Sequence, residues 1–487
     1  MRRVSCVVLA LSVSILYPGV AAGQDALAGL VKRVLDQATI NRTTPSRTAP
    51  AGYVCQPLEQ STNCVIHQPH FLVGESLRLT TREVNVAIAE QLSSFPLSSS
   101  SGGFSFRVDK DGAVVPASTT FGPAFAERGL TIGEGKFNFG FSFQATSYDS
   151  FEGIDLESGG LTFIREHNDC CPTRDKGIAE ETNFDPAFER DLLQSSLRLT
   201  VDSRTTAFFA NYGVTNRLDV GIAIPISHVE MDATVDGNIL RLGSGSSTFH
   251  QFENGGAEEL FAESGSATGL GDILVRSKYN FYRTETTALA AAIDLRLPTG
   301  DKDNLLGTGA TQANVFFVGS GEYGVFSPHL NLGYTFSNGE TSEESTSFES
   351  DPAFGTVPPE ATARTVDLSI PNEFNYVAGV AVAVHPRVTV GFDFRGRNIR
   401  DVPRFGLENK TYPHRGTGAS IPSTSFESSN EVGLESRDGN LNLLLGVLGA
   451  KFNIGSTFLL NVSVLFSMTD NGLKPKPTPV IGFDYVF

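Results

Sequence analysis

The residues best suited to chemistry form a row of charges: Arg198, Asp202, Arg204, Asp219, Arg276, Lys278, Asp294, Arg296, Asp393, Arg395 and Arg397. Most stand between apolar neighbours, as in Leu197-Arg198-Leu199 and Ile293-Asp294-Leu295-Arg296-Leu297. An extended backbone throws such charges onto one face and the oily side chains onto the other. A charged face of this kind has two uses. Along an aqueous passage it sets a field that selects solutes; inside a filled wall its members pair across strands and brace it. Both uses stay open here.

Other constellations are weaker. Cys55, Cys64, His67 and His70 spell C-x8-C-x2-H-x2-H, which resembles a zinc site in outline, but the cysteine spacing is wrong for the common fingers. Thiols of an exported chain oxidise, so a disulfide with incidental histidines is expected, and no metal or other cofactor. Ser227-His228, with His329, His385 and His414, could suggest a hydrolase, yet there is no G-x-S-x-G elbow and no carboxylate spaced to orient a base. No enzyme is expected. Gly133-Glu134-Gly135-Lys136 is too short for a phosphate loop and reads as a turn into a strand.

The elements that would position the charges follow from period-two patterning. From Leu197 to Gly213, Leu197, Leu199, Val201, Ala207 and Phe209 alternate with Arg198, Thr200, Asp202, Arg204 and Thr206, which predicts an oily outer face and a charged inner one. After a turn at Val214 to Arg217, Leu218, Val220, Ile222, Ile224 and Ile226 alternate with polar or small residues, and then the parity slips to Val229 and Met231. A β-bulge near Pro225 to His228 would produce such a slip. Paired segments recur at 269–283 with 286–298, 310–320 with 323–338, 370–384 with 387–398, and 440–454 with 456–468. Long polar stretches at 237–268, 299–309, 339–369 and 399–439 separate the pairs and read as loops. Lys136 to Thr146, with Phe137, Phe139, Phe141 and Phe143 on one face, and Pro479 to Phe487 add a first and a last strand. Short and long connections in alternation are how outer-membrane barrels are written.

The expected fold is therefore all-β: a transmembrane antiparallel β-barrel of about twelve strands. About fourteen is the alternative, recruiting Val84 to Leu92 and Phe104 to Val108. Past the N-terminus no apolar run is long enough to cross a bilayer as a helix, and only closure satisfies a sheet's backbone in hydrocarbon. The net charge of −17 makes nucleic acid an unsuitable partner. Acids gather in Asp149 to Glu189 and Glu340 to Glu360.

The N-terminus carries its own instructions. Met1-Arg2-Arg3, an apolar run from Val4 to Val20 and Ala21-Ala22-Gly23 make a secretory signal peptide over residues 1–23. Its removal takes Cys6 and leaves Cys55, Cys64, Cys170 and Cys171 as disulfide candidates. Cys55 with Cys64 is the obvious local pair; adjacent Cys170 and Cys171 bond elsewhere, with the first two as the alternative. Residues 24–134 form a separate segment. Leu27, Leu30, Val31, Val34, Leu35 and Ala38 mark a short amphipathic helix, a linker follows at 41–52, and a small hairpin turns at Asp109-Lys110-Asp111-Gly112. This segment either plugs the lumen or hangs below it, and 135–487 forms the barrel.

Residues 104–487 resemble the outer-membrane transporter family named for the meta-pathway of phenol degradation. The pieces that carry the likeness are Phe121-Gly122-Pro123 with Ala126-Glu127-Arg128, Gly135-Lys136-Phe137-Asn138-Phe139-Gly140, and Gly213-Val214-Thr215-Asn216-Arg217-Leu218-Asp219-Val220-Gly221. Further on come Gly269-Leu270-Gly271-Asp272-Ile273, Leu297-Pro298-Thr299-Gly300-Asp301, Leu306-Gly307-Thr308-Gly309, Gly449-Ala450-Lys451-Phe452-Asn453 and the ending Gly482-Phe483-Asp484-Tyr485-Val486-Phe487. Phe483, Tyr485 and Phe487 resemble the signal by which barrel assembly machinery recognises its substrates. The resemblance implies the outer membrane of a Gram-negative-type bacterium, lipid and lipopolysaccharide around the wall, and uptake of small, hydrophobic or aromatic solutes. The alternative is a structural or surface-interaction barrel with a closed lumen and acidic outer loops. Oligomeric state is not written in the sequence.

Overall fold

The strands of the wall are long enough to cross hydrocarbon, and the pleat sorts their side chains into two faces. The computed structural model describes residues 26–38, 118–166, 191–242, 250–338, 340–347, 362–415, 426–455 and 457–486, the short pieces 43–45, 64–66, 106–108 and 114–116, and single residues between 71 and 92. Twelve antiparallel strands close on themselves. They are β1 Phe137–Phe151, β2 Leu192–Gly213, β3 Leu218–Leu240, β4 Ile273–Arg283, β5 Thr287–Leu297, β6 Thr311–Gly321, β7 Phe326–Asn338, β8 Glu373–His385, β9 Val388–Arg415, β10 Phe426–Gly455, β11 Phe458–Ser467 and β12 Thr478–Val486. β12 returns to β1 with Phe483 opposite Phe141, which seals the cylinder.

The fourteen-strand alternative fails for a local reason. Val84, Ile88 and Leu92 recur every four residues and are helical, while Phe106–Val108 pairs only with Val114–Pro116 in a separate hairpin. Residues 1–23, where a signal peptide is expected, and Cys55, His67, His70, Cys170, Cys171 and Phe487 lie outside the described residues. Cys64 opens a short strand, Cys64–Ile66, but its side chain also lies outside them.

The outer wall is a band of large apolar side chains left bare. Phe139, Phe141 and Phe143 of β1, Ile293 and Leu295 of β5, Phe317 of β6, Leu330 and Leu332 of β7, Val462 and Val464 of β11, and Ile481 of β12 are all exposed. A contiguous patch of that size marks a membrane surface on a chain with no other means of covering it. Phe483 and Tyr485 face the same way and pack on Phe458, the Tyr485 ring centroid 4.6 Å from its own. Inside, the same strands present Asn138, Gln144, Lys278, Asn280, Asp294, His329, Asp393 and Asp484, all buried. The wall is apolar outward and ionic inward.

β2 and β3 hold a correction. Their register runs from Leu192 opposite Leu240 to Gly213 opposite Asp219 without a shift, so no bulge exists at Pro225 to His228. The strand stays straight and its surroundings change. Val220, Ile222 and Ile226 point outward and are exposed, whereas Val229 and Met231 point inward and are 2% and 1% accessible. Beyond Ile226 the outward face becomes His228, Glu230, Asp232 and Asp236. The slip marks the level at which the strand leaves the membrane: below it oil faces lipid, above it oil faces a core.

That core fills the outer end of the lumen. Leu197, Leu199, Val201, Met231, Ala233 and Val235 pack with Phe151, Leu156, Phe163, Phe405 and Leu434 around α1, Leu30–Gln37. Three of the expected loops are strand instead: Glu258–Leu270 extends the sheet along β3, Glu340–Ser347 pairs with Thr362–Ser369 in a separate hairpin, and β9 and β10 pair as far as Arg415 opposite Phe426. Above the membrane both faces of such an extension meet water or polar neighbours, so the hydrophobic alternation that announces a strand is lost.

Candidate functional site

Two inserted segments shape the lumen. The first is α1, whose Leu27, Leu30, Val31, Val34 and Leu35 are buried at helical spacing. Its C-terminal carbonyls are held by Arg165, whose guanidinium donates to Leu35 O at 2.6 Å and Ala38 O at 3.3 Å. Lysine or arginine at a helix C-terminus satisfies carbonyls that lack an intrahelical partner. Arg33 Nε donates to Glu263 at 2.6 Å, and the Ala28 amide to Asp303 O at 2.8 Å. Beside α1 lie the helical residues Val84, Ile88 and Leu92, buried in the same cluster.

The second segment, residues 118–135, enters from the rim that carries the short turns and the last strand's end. Strand side chains hold its backbone. The Phe121 amide donates to Thr389 Oγ1 at 2.9 Å, the Phe125 amide to Asp393 Oδ2 at 2.9 Å, the Gly129 amide to Ser320 Oγ at 3.0 Å and the Ile132 amide to Asp219 Oδ2 at 3.0 Å. Gly129 must be glycine for this fit, because a Cβ there would stand 2.4 Å from the Ala288 carbonyl oxygen. Two charged side chains rise from the segment: Glu127 accepts from Arg276 and from Lys278 Nζ at 3.1 Å, and buried Arg128 bonds Glu322.

Arg276 in turn clasps Asp294 with both Nε and Nη2 at 2.6 Å, a two-point ion pair across β4 and β5. On the opposite wall Arg397 bonds Glu373 at 2.6 Å and lies 3.9 Å from Glu90. Glu90 sits on an inserted segment, and burial there pushes its carboxyl up to about 7 against the pull of Arg397, with Glu373 pushing the same way. Between these pairs, at mid-lumen, is a chamber of about 150 Å³ whose lining includes Phe125, Glu127, Arg276, Arg296, Glu373 and Arg395. Asp272 closes one corner, accepting from the Gly300 amide at 3.1 Å and the Thr308 amide and hydroxyl at 2.8 Å each. Gly300 and Gly307 meet there so closely that a Cβ on either would be 2.7 Å from the other's Cα. Three of the motifs singled out in the sequence thus converge on one carboxylate.

The charges named from sequence divide in two. Arg276, Lys278, Asp294, Arg296, Asp219, Asp393, Arg395 and Arg397 face inward near the chamber or the segment beneath it. Arg198, Asp202 and Arg204 do not join them. Arg198 pairs with Asp236 at 2.8 Å with both side chains more than 40% exposed, Asp202 accepts from Ser147, and Arg204 is exposed. The inner face of β2 is its apolar one, since β2 at this height borders the hydrophobic core. Glu127, Glu373, Glu90 and Asp272 complete the site and do not belong to the row of charges read from the sequence; Glu127 and Asp272 stand there only as members of motifs.

The histidines also find places. His329 Nε2 is 2.7 Å from Asp393 Oδ1, so it is paired rather than solitary, and His385 Nδ1 accepts from the Arg387 amide in a turn. Ser227 and His228 point to opposite faces of β3, Ser227 toward Thr205 inside and His228 toward Thr268 outside. They cannot form a nucleophile–base pair. The side chain of His414 lies outside the described residues. Gly133 and Gly135 take positive φ angles and turn the chain into β1.

Residues 175–393 match the family described as "Putative MetA-pathway of phenol degradation". No curated protein matches the chain. Among solved structures it is similar to the COG4313 outer membrane channel from Pseudomonas putida F1, at 12% identity and TM-score 0.39, covering 74% of this chain and 97% of that one. It is also similar to a TodX monoaromatic hydrocarbon channel mutant, at 10% identity and TM-score 0.33 over 81% and 100% of the two chains. The CymD monoaromatic hydrocarbon channel follows at 11% identity and TM-score 0.26 over 73% and 89%. The chain is an outer-membrane β-barrel, and its residues 175–393 match the family named for the meta-pathway of phenol degradation.

Proposed function

We propose that the protein is an outer-membrane uptake channel for small molecules, aromatic or otherwise hydrophobic compounds among them, and that its resting lumen is closed by the two inserted segments. The observation that carries this reading is the mid-lumen chamber of about 150 Å³, lined by the barrel strands and by Phe125 and Glu127 of the second segment. A barrel that served only as a scaffold gains by filling its interior to the density of an organic crystal. This one keeps a charged, lined space at the depth where a crossing solute must pass. The inner charges act as the solute-selecting wall, and the segment 118–135, held by polar contacts to strand side chains rather than by strand pairing, is the part able to yield.

The family's name ties it to phenol degradation, which makes small aromatics the first cargo to examine. Liposomes carrying the full chain should swell in isosmotic arabinose faster than protein-free liposomes, and phenol in the chamber should slow that entry. Identical swelling with and without protein would contradict the proposal.

A further inference from the structure

Arg395 enters the chamber from β9, and no protein acceptor meets its buried Nε. The acidic groups that line that chamber are all engaged: Asp294 and Glu127 by Arg276, Glu373 by Arg397, and Asp272 by Gly300 and Thr308. A cationic solute would meet only neutral amide oxygens unless it broke one of these pairs. An anionic one needs to break none, because the Arg395 guanidinium lines the chamber outside those ion pairs. Around it stand two further groups without a protein partner, Asn314 Oδ1 and Asn375 Oδ1, which accept rather than donate. Phe125 and Phe316 supply flat apolar surface, with Arg276 already over the Phe316 ring at 5.5 Å.

Size completes the description. A cavity of about 150 Å³ lined by aliphatic and aromatic side chains takes up one benzene ring. A charged group on that ring would meet the guanidinium in a setting where water competes poorly and charge-assisted hydrogen bonds are strong. From this geometry we infer that the chamber is a binding site for single aromatic rings bearing one anionic group, a carboxylate or sulfonate, with Arg395 as the residue that recognises the anion. The inference rests on the channel reading for its biological sense but not for its test.

Two membrane-impermeant probes of one ring and opposite charge separate the possibilities: benzenesulfonate and phenyltrimethylammonium. Equilibrium binding to the detergent-solubilised full chain should be saturable for benzenesulfonate and at least tenfold weaker for phenyltrimethylammonium. Arg395→Met should lose the benzenesulfonate site, and Arg395→Lys, which keeps a cation, should recover much of it with an unchanged thermal transition. Equal binding of the two probes, or benzenesulfonate binding unaltered in Arg395→Met, overturns the inference. The channel reading is judged separately by flux: selective binding without benzenesulfonate entry into proteoliposomes upholds the site and sinks transport, whereas entry without selective binding does the reverse.

Discussion

His329 Nε2 and Asp393 Oδ1 lie 2.7 Å apart with both side chains shut off from solvent, and the second oxygen of Asp393 receives the backbone amides of Ala124 and Phe125. One carboxylate therefore joins β7 and β9 to the segment that closes the lumen. In Asp393→Asn the acceptor loses its charge and one of its oxygens becomes a donor. Hydrogen bonds to charged groups contribute about 1.5–3 kcal/mol each, so the Phe125 amide should exchange with solvent deuterium at least about tenfold faster. Unchanged exchange at Phe125 would show that Asp393 does not hold the segment.

The membrane edge on β3 is open to a similar test. Ile222 lies on the lipid face of the apolar stretch and Asp232 on the same face above it. Lysine near the bilayer midplane costs about 2–4 kcal/mol and close to zero beyond the interface. Folding into lipid vesicles should therefore be strongly impaired in Ile222→Lys and nearly normal in Asp232→Lys. Equal penalties at the two sites would mean that the parity change does not mark the edge.

How much of this was legible in advance follows from what surrounds each residue. Val462 and Val464 alternate with Asn461 and Ser463 in β11 because lipid lies on one side and a polar lumen on the other, and that contrast is written directly in the residues. Leu197 and Leu199 alternate just as cleanly with Arg198 and Thr200, yet face inward, since the α1 core replaces the polar lumen there. Period two reports a difference between faces and is silent on which face is inside. The polar reach of β9 toward Arg415 gave no such difference and passed for a loop. Glu127 and Glu90 lie outside the barrel strands and far in sequence from Arg276 and Arg397, so no strand pattern could bring the partners together.

Glu90 makes the docking of its segment beside α1 sensitive to pH. With its folded value raised to about 7 from 4.5, the docked segment holds a proton that the undocked segment releases across that interval. A raised carboxyl of this kind makes docking most favourable at low pH and progressively weaker as pH rises through the interval. Solute entry should accordingly increase between about pH 5 and about pH 8, and Glu90→Gln should flatten the profile. A Glu90→Gln protein with the wild-type pH profile would remove Glu90 from this role.

The outer closure depends on apolar burial. Leu30 of α1 is wholly inaccessible among Val34, Met231 and Val235. Truncation of a buried leucine to alanine costs about 2–5 kcal/mol, most where neighbours cannot collapse into the space. Leu30→Ala should leave the barrel's melting temperature in detergent nearly intact while making residues 26–38 sensitive to protease added outside. Resistance equal to wild type would show that α1 is held by other means, with Arg165 the first to examine.

The most direct measurement is the ionic current through a single full-length protein in a planar bilayer, recorded with wild type and with Asp393→Asn under the same voltage. Brief, infrequent openings in wild type and longer or more frequent ones in Asp393→Asn are the predicted result, because the barrel conducts once the 118–135 segment yields. A bilayer that stays sealed for both proteins across voltage and pH would contradict a gated passage.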